Sequence, residues 1–136
     1  MRLLFCLLLL SLSLPVHAQS GRLGVELNKL EEGEAGGCRA FFLFRNGIGE
    51  TLEAFEMSLA ILAPSGVIDR LLTIDAAPLP AARTTLKLFE IPELACTGVG
   101  EIILHDIAAC TPQNADPIDC YTFLDLTSLA EAELVK

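Results

Sequence analysis

Apolar and polar side chains alternate with a period of two along most of this chain, most sharply from Cys38 to Asn46. There C-R-A-F-F-L-F-R-N puts Cys38, Ala40, Phe42 and Phe44 on one face and Arg39, Phe41, Leu43 and Arg45 on the other. That is the pattern of a β-strand with one fully buried face. Three of the seven Phe fall in this stretch, and a Cys at its head predicts a staple to a distant strand. The turn Asn46, Gly47, Ile48, Gly49 closes it.

The same alternation predicts the other strands. Residues 22 to 30 set Leu23, Val25 and Leu27 against Gly24, Glu26 and Asn28, an edge or half-exposed strand, and Glu31 to Gly37 (E-E-G-E-A-G-G) then reads as a flexible acidic loop. Its three Glu lack the Asp-rich spacing of a calcium loop. Thr51 to Leu62 carries Phe55, Met57, Leu59 and Ile61 on one side, a long strand with one wet face. Pro64, Ser65 and Gly66 turn it into Val67 to Asp75, so residues 51 to 75 predict a hairpin. The two Pro of Asp75 to Ala82 exclude a central strand and predict a crossover between sheets.

Thr84 to Ile91 is the next strand and stops at Pro92. Gly98 to Ile107 follows, then the loop between Cys110 and Cys120, then Tyr121 to Leu126. Pairing of those two Cys would make the flanking strands a stapled hairpin. Glu131 to Lys136 either adds a short edge strand or hangs free. No amphipathic helix or repeat is evident, and seven or eight close strands turned at Gly and Pro predict an all-β, antiparallel sandwich.

The first eighteen residues stand apart. Arg2 is a positive start, Leu3 to Leu14 is apolar except at Cys6, Ser11 and Ser13, and Val16 and Ala18 provide small positions ahead of a cut between Ala18 and Gln19. This is the pattern of a cleaved signal-peptide helix, too short to span a bilayer, where about twenty apolar residues are needed. Residues 19 to 136 are then one domain, periplasmic or secreted. Cys6 lies inside the apolar run rather than at its end, which argues against a lipid anchor.

Cleavage also changes the charge. Nine Lys and Arg face eighteen Asp and Glu, and loss of Arg2 leaves a formal balance of −10. Such a surface repels nucleic acid and anionic lipid. Loss of Cys6 leaves Cys38, Cys96, Cys110 and Cys120, an even set in an exported domain that predicts two disulfides. Three connectivities exist. Cys38 with Cys96 and Cys110 with Cys120 is preferred, because the latter pair encloses T-P-Q-N-A-D-P-I-D, rich in turn formers. Without a C-x-x-C, zinc ligation is not indicated.

Chemistry is sparse. His105 is the one histidine after the leader, and strand geometry sends it and Asp106 to opposite faces, so no acid and base pair is preset. No G-x-S-x-G elbow is present. Met57 fits the core alternation better than a metal set, and Gly47 and Gly49 have no following helix with which to cradle phosphate. No catalytic residue, cofactor or metal is assigned. The candidate interaction surface is Arg39, Phe41, Leu43 and Arg45, either an apolar stripe between two cations or a face packed under a second layer with its arginines paired to acids.

The strand ending in Phe-Arg-Asn, the Pro64 to Gly66 hairpin, L-P-x-x-x-T at Leu79 to Thr84 and the following L-x-L strand resemble immunoglobulin-like modules of bacterial exported proteins. More closely, E-L-N-K-L-E at 26 to 31, the Cys38 strand, G-V-I at 66 to 68, K-L-F-E-I at 87 to 91 and the late Cys pair are similar to small uncharacterised secreted proteins of alphaproteobacteria. Some of that group are labelled as twin-arginine signal proteins, a label Arg2 alone does not match. The resemblance implies an exported sandwich and no activity. The expected function is a non-enzymatic interaction or assembly module of the cell envelope with an envelope or extracellular protein as partner. The alternatives are an inhibitor of a cationic hydrolase such as lysozyme, or a small-ligand or metal carrier.

Overall fold

A computed structural model describes residues 20–136. The expected leader, its cleavage site and Cys6 lie outside the described residues. Eight strands follow in order: β1 (Leu23–Glu32), β2 (Cys38–Asn46), β3 (Leu52–Leu62), β4 (Ile68–Asp75), β5 (Thr84–Ile91), β6 (Glu101–Pro112), β7 (Leu124–Ser128) and β8 (Glu133–Val135). Single 3-10 turns occupy Glu34–Gly36, Cys96–Gly98 and Tyr121–Phe123. One sheet has the order β5-β2-β1-β7, the other β4-β3-β6-β8. The trios β5-β2-β1 and β4-β3-β6 repeat the order in which immunoglobulin-type sandwiches arrange their E, B, A and C′, C, F strands.

Period-two alternation builds the core. Leu23, Val25 and Leu27 of β1 and Phe42 and Phe44 of β2 face Phe55 and Met57 of β3 and Ile102 and Leu104 of β6, all buried. Phe44 meets Phe55 edge-on across the two layers, with ring centroids 6.0 Å apart. Both preferred disulfides are present, with Cα–Cα distances of 4.8 Å for Cys38–Cys96 and 6.1 Å for Cys110–Cys120, inside the range a bridge needs. Cys38–Cys96 ties the head of β2 to the segment leading into β6.

Two expectations are corrected. The sheets are mixed, because β1 pairs with β7, and β6 with β8, in parallel. The segment after Cys110 is also no hairpin. β6 ends beside the start of β3, at the end of the sandwich where β1 begins, and the Cys110–Cys120 loop crosses there to the opposite sheet. The chain therefore runs up beside β1 as β7, reverses after Ser128, and comes down beside β6 as the short edge strand β8. The second disulfide staples a sheet-to-sheet crossover, and the β7 to β8 reversal closes that side of the sandwich.

Asn46, which ends β2, is the one buried polar residue of the described chain, 4% exposed. Its Nδ2 donates to the carbonyls of Glu50 (2.7 Å) and Leu79 (2.9 Å), and its Oδ1 accepts from the Ile48 N–H (3.1 Å). One side chain thus holds the turn after β2 against the Pro-rich crossover, where buried Leu79 bridges Leu52. Asn46→Ala leaves these groups without their partner and is expected to cost about 1–3 kcal/mol. Urea denaturation measures this, and a change below the error of the fit would show that water replaces the amide.

Candidate functional site

β2 presents Arg39, Phe41, Leu43 and Arg45 together on the outer face of the first sheet. Register places Leu88 of β5 beside Phe41 and Leu86 beside Leu43. On the other side a bulge in β1 brings Lys29, not Asn28, opposite Phe41, while Glu26 pairs with Leu43. The result is an apolar quartet, Phe41, Leu43, Leu86 and Leu88, with Leu86 54% and Leu88 48% exposed. Among the described residues no second layer covers it. Alternation in T-T-L-K-L shows that Leu86 and Leu88 share a face, but not that the face is open to solvent.

The arginines are bound to acids. Arg39 Nε donates to Glu90 (2.8 Å) and Arg45 Nη1 to Glu26 (3.0 Å), while Lys29 sits 3.5 Å from Glu31 and 4.4 Å over the Phe41 ring. Arg22 holds Asp125 at 2.6 Å, joining the start of β1 to β7. The Asn28 amide, then Arg45, holds the Glu26 carboxyl below its usual range. Arg22 does the same for Asp125, and each acid raises its arginine where a shift is resolved.

A carboxyl whose pKa is lowered by folding adds stability above its unfolded pKa, about 4, and loses that contribution as pH falls through the lower folded value. Stability should therefore fall with acidification below about pH 4. A Glu26→Gln, Asp125→Asn variant should show a smaller drop in urea midpoint between neutral pH and acid. An equal drop would mean that these pairs carry no linkage.

The open side of the sandwich is guarded. β4 and β5 are its two edge strands, and each turns a cation toward the interior. Arg70, opposite core-facing Ile61, bonds Asp69 (2.6 Å) and the Pro92 carbonyl. Lys87, opposite core-facing Phe42, donates to the Ala77 carbonyl at 3.3 Å. Inward charge at an edge discourages strand addition. The sheet faces are thus better suited than the edges to contact a partner.

His105 sits where the pairing of β6 is irregular. A bulge between Ser58 and Leu59 of β3 and their β6 partners leaves His105 without a partner on β3, and both His105 and Asp106 are exposed. Asp106 Oδ1 accepts from the Ile107 N–H, and no bond joins the two side chains. Met57 is buried in the core. Gly47 serves close packing, since a Cβ there would lie 2.8 Å from the Arg22 carbonyl oxygen.

Two open clefts flank the β7 to β8 reversal. One, about 500 Å³, lies by Leu30, Thr97 and Leu129; a shallower one, about 700 Å³, lies between Arg22 and Lys136. Among the described residues no group of three or more His, Cys, Asp and Glu is placed to hold a metal, and no helix is long and apolar enough to cross a membrane.

No protein-family model matches the chain, and no curated protein sequence does. Among solved structures it is similar to IrmA from Escherichia coli, with a TM-score of 0.60 and 14% identity over 77% of this chain and 90% of that one. At that identity the likeness is one of fold, an all-β sandwich, and carries no activity across. Two disulfides mark a chain that folds under oxidising conditions.

Proposed function

We propose that this chain is exported by its leader, cut between Ala18 and Gln19, and acts in the periplasm or outside the cell as a non-enzymatic interaction or assembly module. We place it with the small secreted alphaproteobacterial proteins that its motifs resemble. One observation carries the reading: large apolar side chains stand outward in ranks on the sheet faces. Leu86 and Leu88 lie beside Phe41 on the first sheet, and Ile68 and Leu71 lie on β4 of the second. A rigid, stapled sandwich with apolar residues on its outer faces is suited to recognising another protein. Inhibition of a cationic hydrolase is the second reading, favoured by the formal charge of −10 left once Arg2 is removed with the leader.

The test is site-specific photo-crosslinking in the native envelope. With a benzophenone side chain placed in turn at Leu86 on the first sheet and Leu71 on the second, at least one of the two faces is expected to give a discrete adduct, and exposed Thr127 none. No adduct from either face would overturn the proposal.

A further inference from the structure

The acidic balance of this protein is not spread evenly, and the uneven part coincides with an apolar row. On the outer face of the second sheet, Leu71 of β4 is opposite Ala60 of β3, Ala60 is opposite Ile103 of β6, and Ile103 is opposite Val135 of β8. One apolar rank therefore crosses all four strands. Leu71 is 63% exposed at its outer end, and Ile68, 60% exposed, extends it along β4.

Carboxylates line both sides of the row. The neighbouring rank toward the start of β6 runs Ile68, Leu62, Glu101, Glu133. In the other direction come Thr73, Ser58 and Asp106, then Asp75 and Glu56. Same-face ranks stand about 7 Å apart, so the nearest carboxylates lie within about one Debye length of the row at physiological salt.

Among the described residues no cation on this face offsets them. β3, β6 and β8 contain no Lys or Arg, and the one cation of β4, Arg70, faces inward and is bound to Asp69 and the Pro92 carbonyl. On the first sheet, by contrast, Arg22, Lys29, Arg39 and Arg45 each pair with an acid. Its outer face is nearly neutral locally, while that of the second sheet carries five uncompensated carboxylates around apolar side chains.

We infer that the outer face of the second sheet is the docking surface, and that its partner is a protein presenting a basic surface with an apolar patch at its centre. The inference rests on the interaction-module reading and adds to it the face and the chemistry of the partner. Uncompensated acids attract such a partner from a distance, and exposed Leu71 and Ile68, with half-buried Ile103 and Val135 beyond buried Ala60, supply the apolar area that holds it. The same field repels a second copy of this face, anionic lipid and nucleic acid.

The experiment uses the whole exported chain with a benzophenone side chain at Ile103, Leu71 or Leu86, crosslinked in envelope extract, followed by binding kinetics with the captured protein. The expected result is capture of a basic protein from Ile103 and Leu71 and not from Leu86. Glu101→Lys with Glu133→Lys should slow association about tenfold at low salt. Leu71→Glu should weaken binding about tenfold or more, Leu86→Glu should leave it unchanged, and rising salt should weaken the wild type. Near-UV circular dichroism confirms that each variant is folded. A neutral or acidic partner, a second copy of the chain, indifference to salt and charge reversal, or capture from Leu86 alone overturns this inference and leaves the module reading standing. No capture from any position overturns both.

Discussion

Phe44→Ala should lower the free energy of unfolding by about 3–5 kcal/mol, a large part of the 5–15 kcal/mol that holds a domain of this size together. The ring is fully buried at the point where the layers meet. It stacks on Phe42 within its own strand at 6.1 Å and meets Phe55 of the opposite sheet edge-on at 6.0 Å. Truncation removes both contacts and leaves a cavity that neither sheet can close, because each is fixed by its own hydrogen-bond ladder. Phe41, on the same strand but facing outward, is the internal control. Its ring is half-buried beneath Lys29, so Phe41→Ala should cost much less. Thermal or urea unfolding of the two variants measures the difference. Equal losses would mean that β2 does not present one buried and one open face.

Removing the Cys38–Cys96 bridge, as Cys38→Ser with Cys96→Ser, has a comparable expected effect. The bridge closes a sequence separation of 58, against 10 for Cys110–Cys120. Constraint of the unfolded chain then gives about 4 kcal/mol for the longer loop and about 2.8 kcal/mol for the shorter. The first bridge also has a local task. Cys38 is the first residue of β2, and its partner sits in the 3-10 turn Cys96–Gly98, where the Cys96 N–H donates to Glu32 at 2.8 Å. Loss of the bridge frees the segment between β5 and β6 as well as lengthening the unfolded chain. Chemical denaturation of the two double-serine variants should rank the long bridge above the short one. The reverse order would show that the sheet-to-sheet crossover, rather than the head of β2, is where the unfolded chain most needs restraint.

What the residues reveal in advance follows from the range over which each signal acts. The faces of β2 and β3 are legible because period-two alternation is a local property, and the Pro64 to Gly66 hairpin because turn chemistry is local as well. The Cys110–Cys120 pairing was legible from the loop it encloses, yet that loop could not show which sheet it delivers the chain to. For that reason the sequence predicts β7 as the return strand of a hairpin, whereas it runs beside β1. The bulge that leaves His105 without a partner depends on what β3 places opposite it, a relation no window of β6 contains. The apolar row on the second sheet is more remote still. Ala60, Leu71, Ile103 and Val135 come together only through the register of four strands. The candidate surface on β2 was legible as a face. Its ion pairs to Glu26 on β1 and Glu90 on β5 required the neighbours to be known.

Non-reducing peptide mapping of the protein recovered from its own compartment tests most directly whether a stapled, two-layer body underlies all of this. The expected result is Cys38 joined to Cys96, Cys110 joined to Cys120, and no free thiol among the four. Free thiols, or a bridge between Cys38 and Cys110, would contradict it: the first would remove the restraint on both crossovers, and the second would tie β2 to β6 in a way the two sheets described above do not allow.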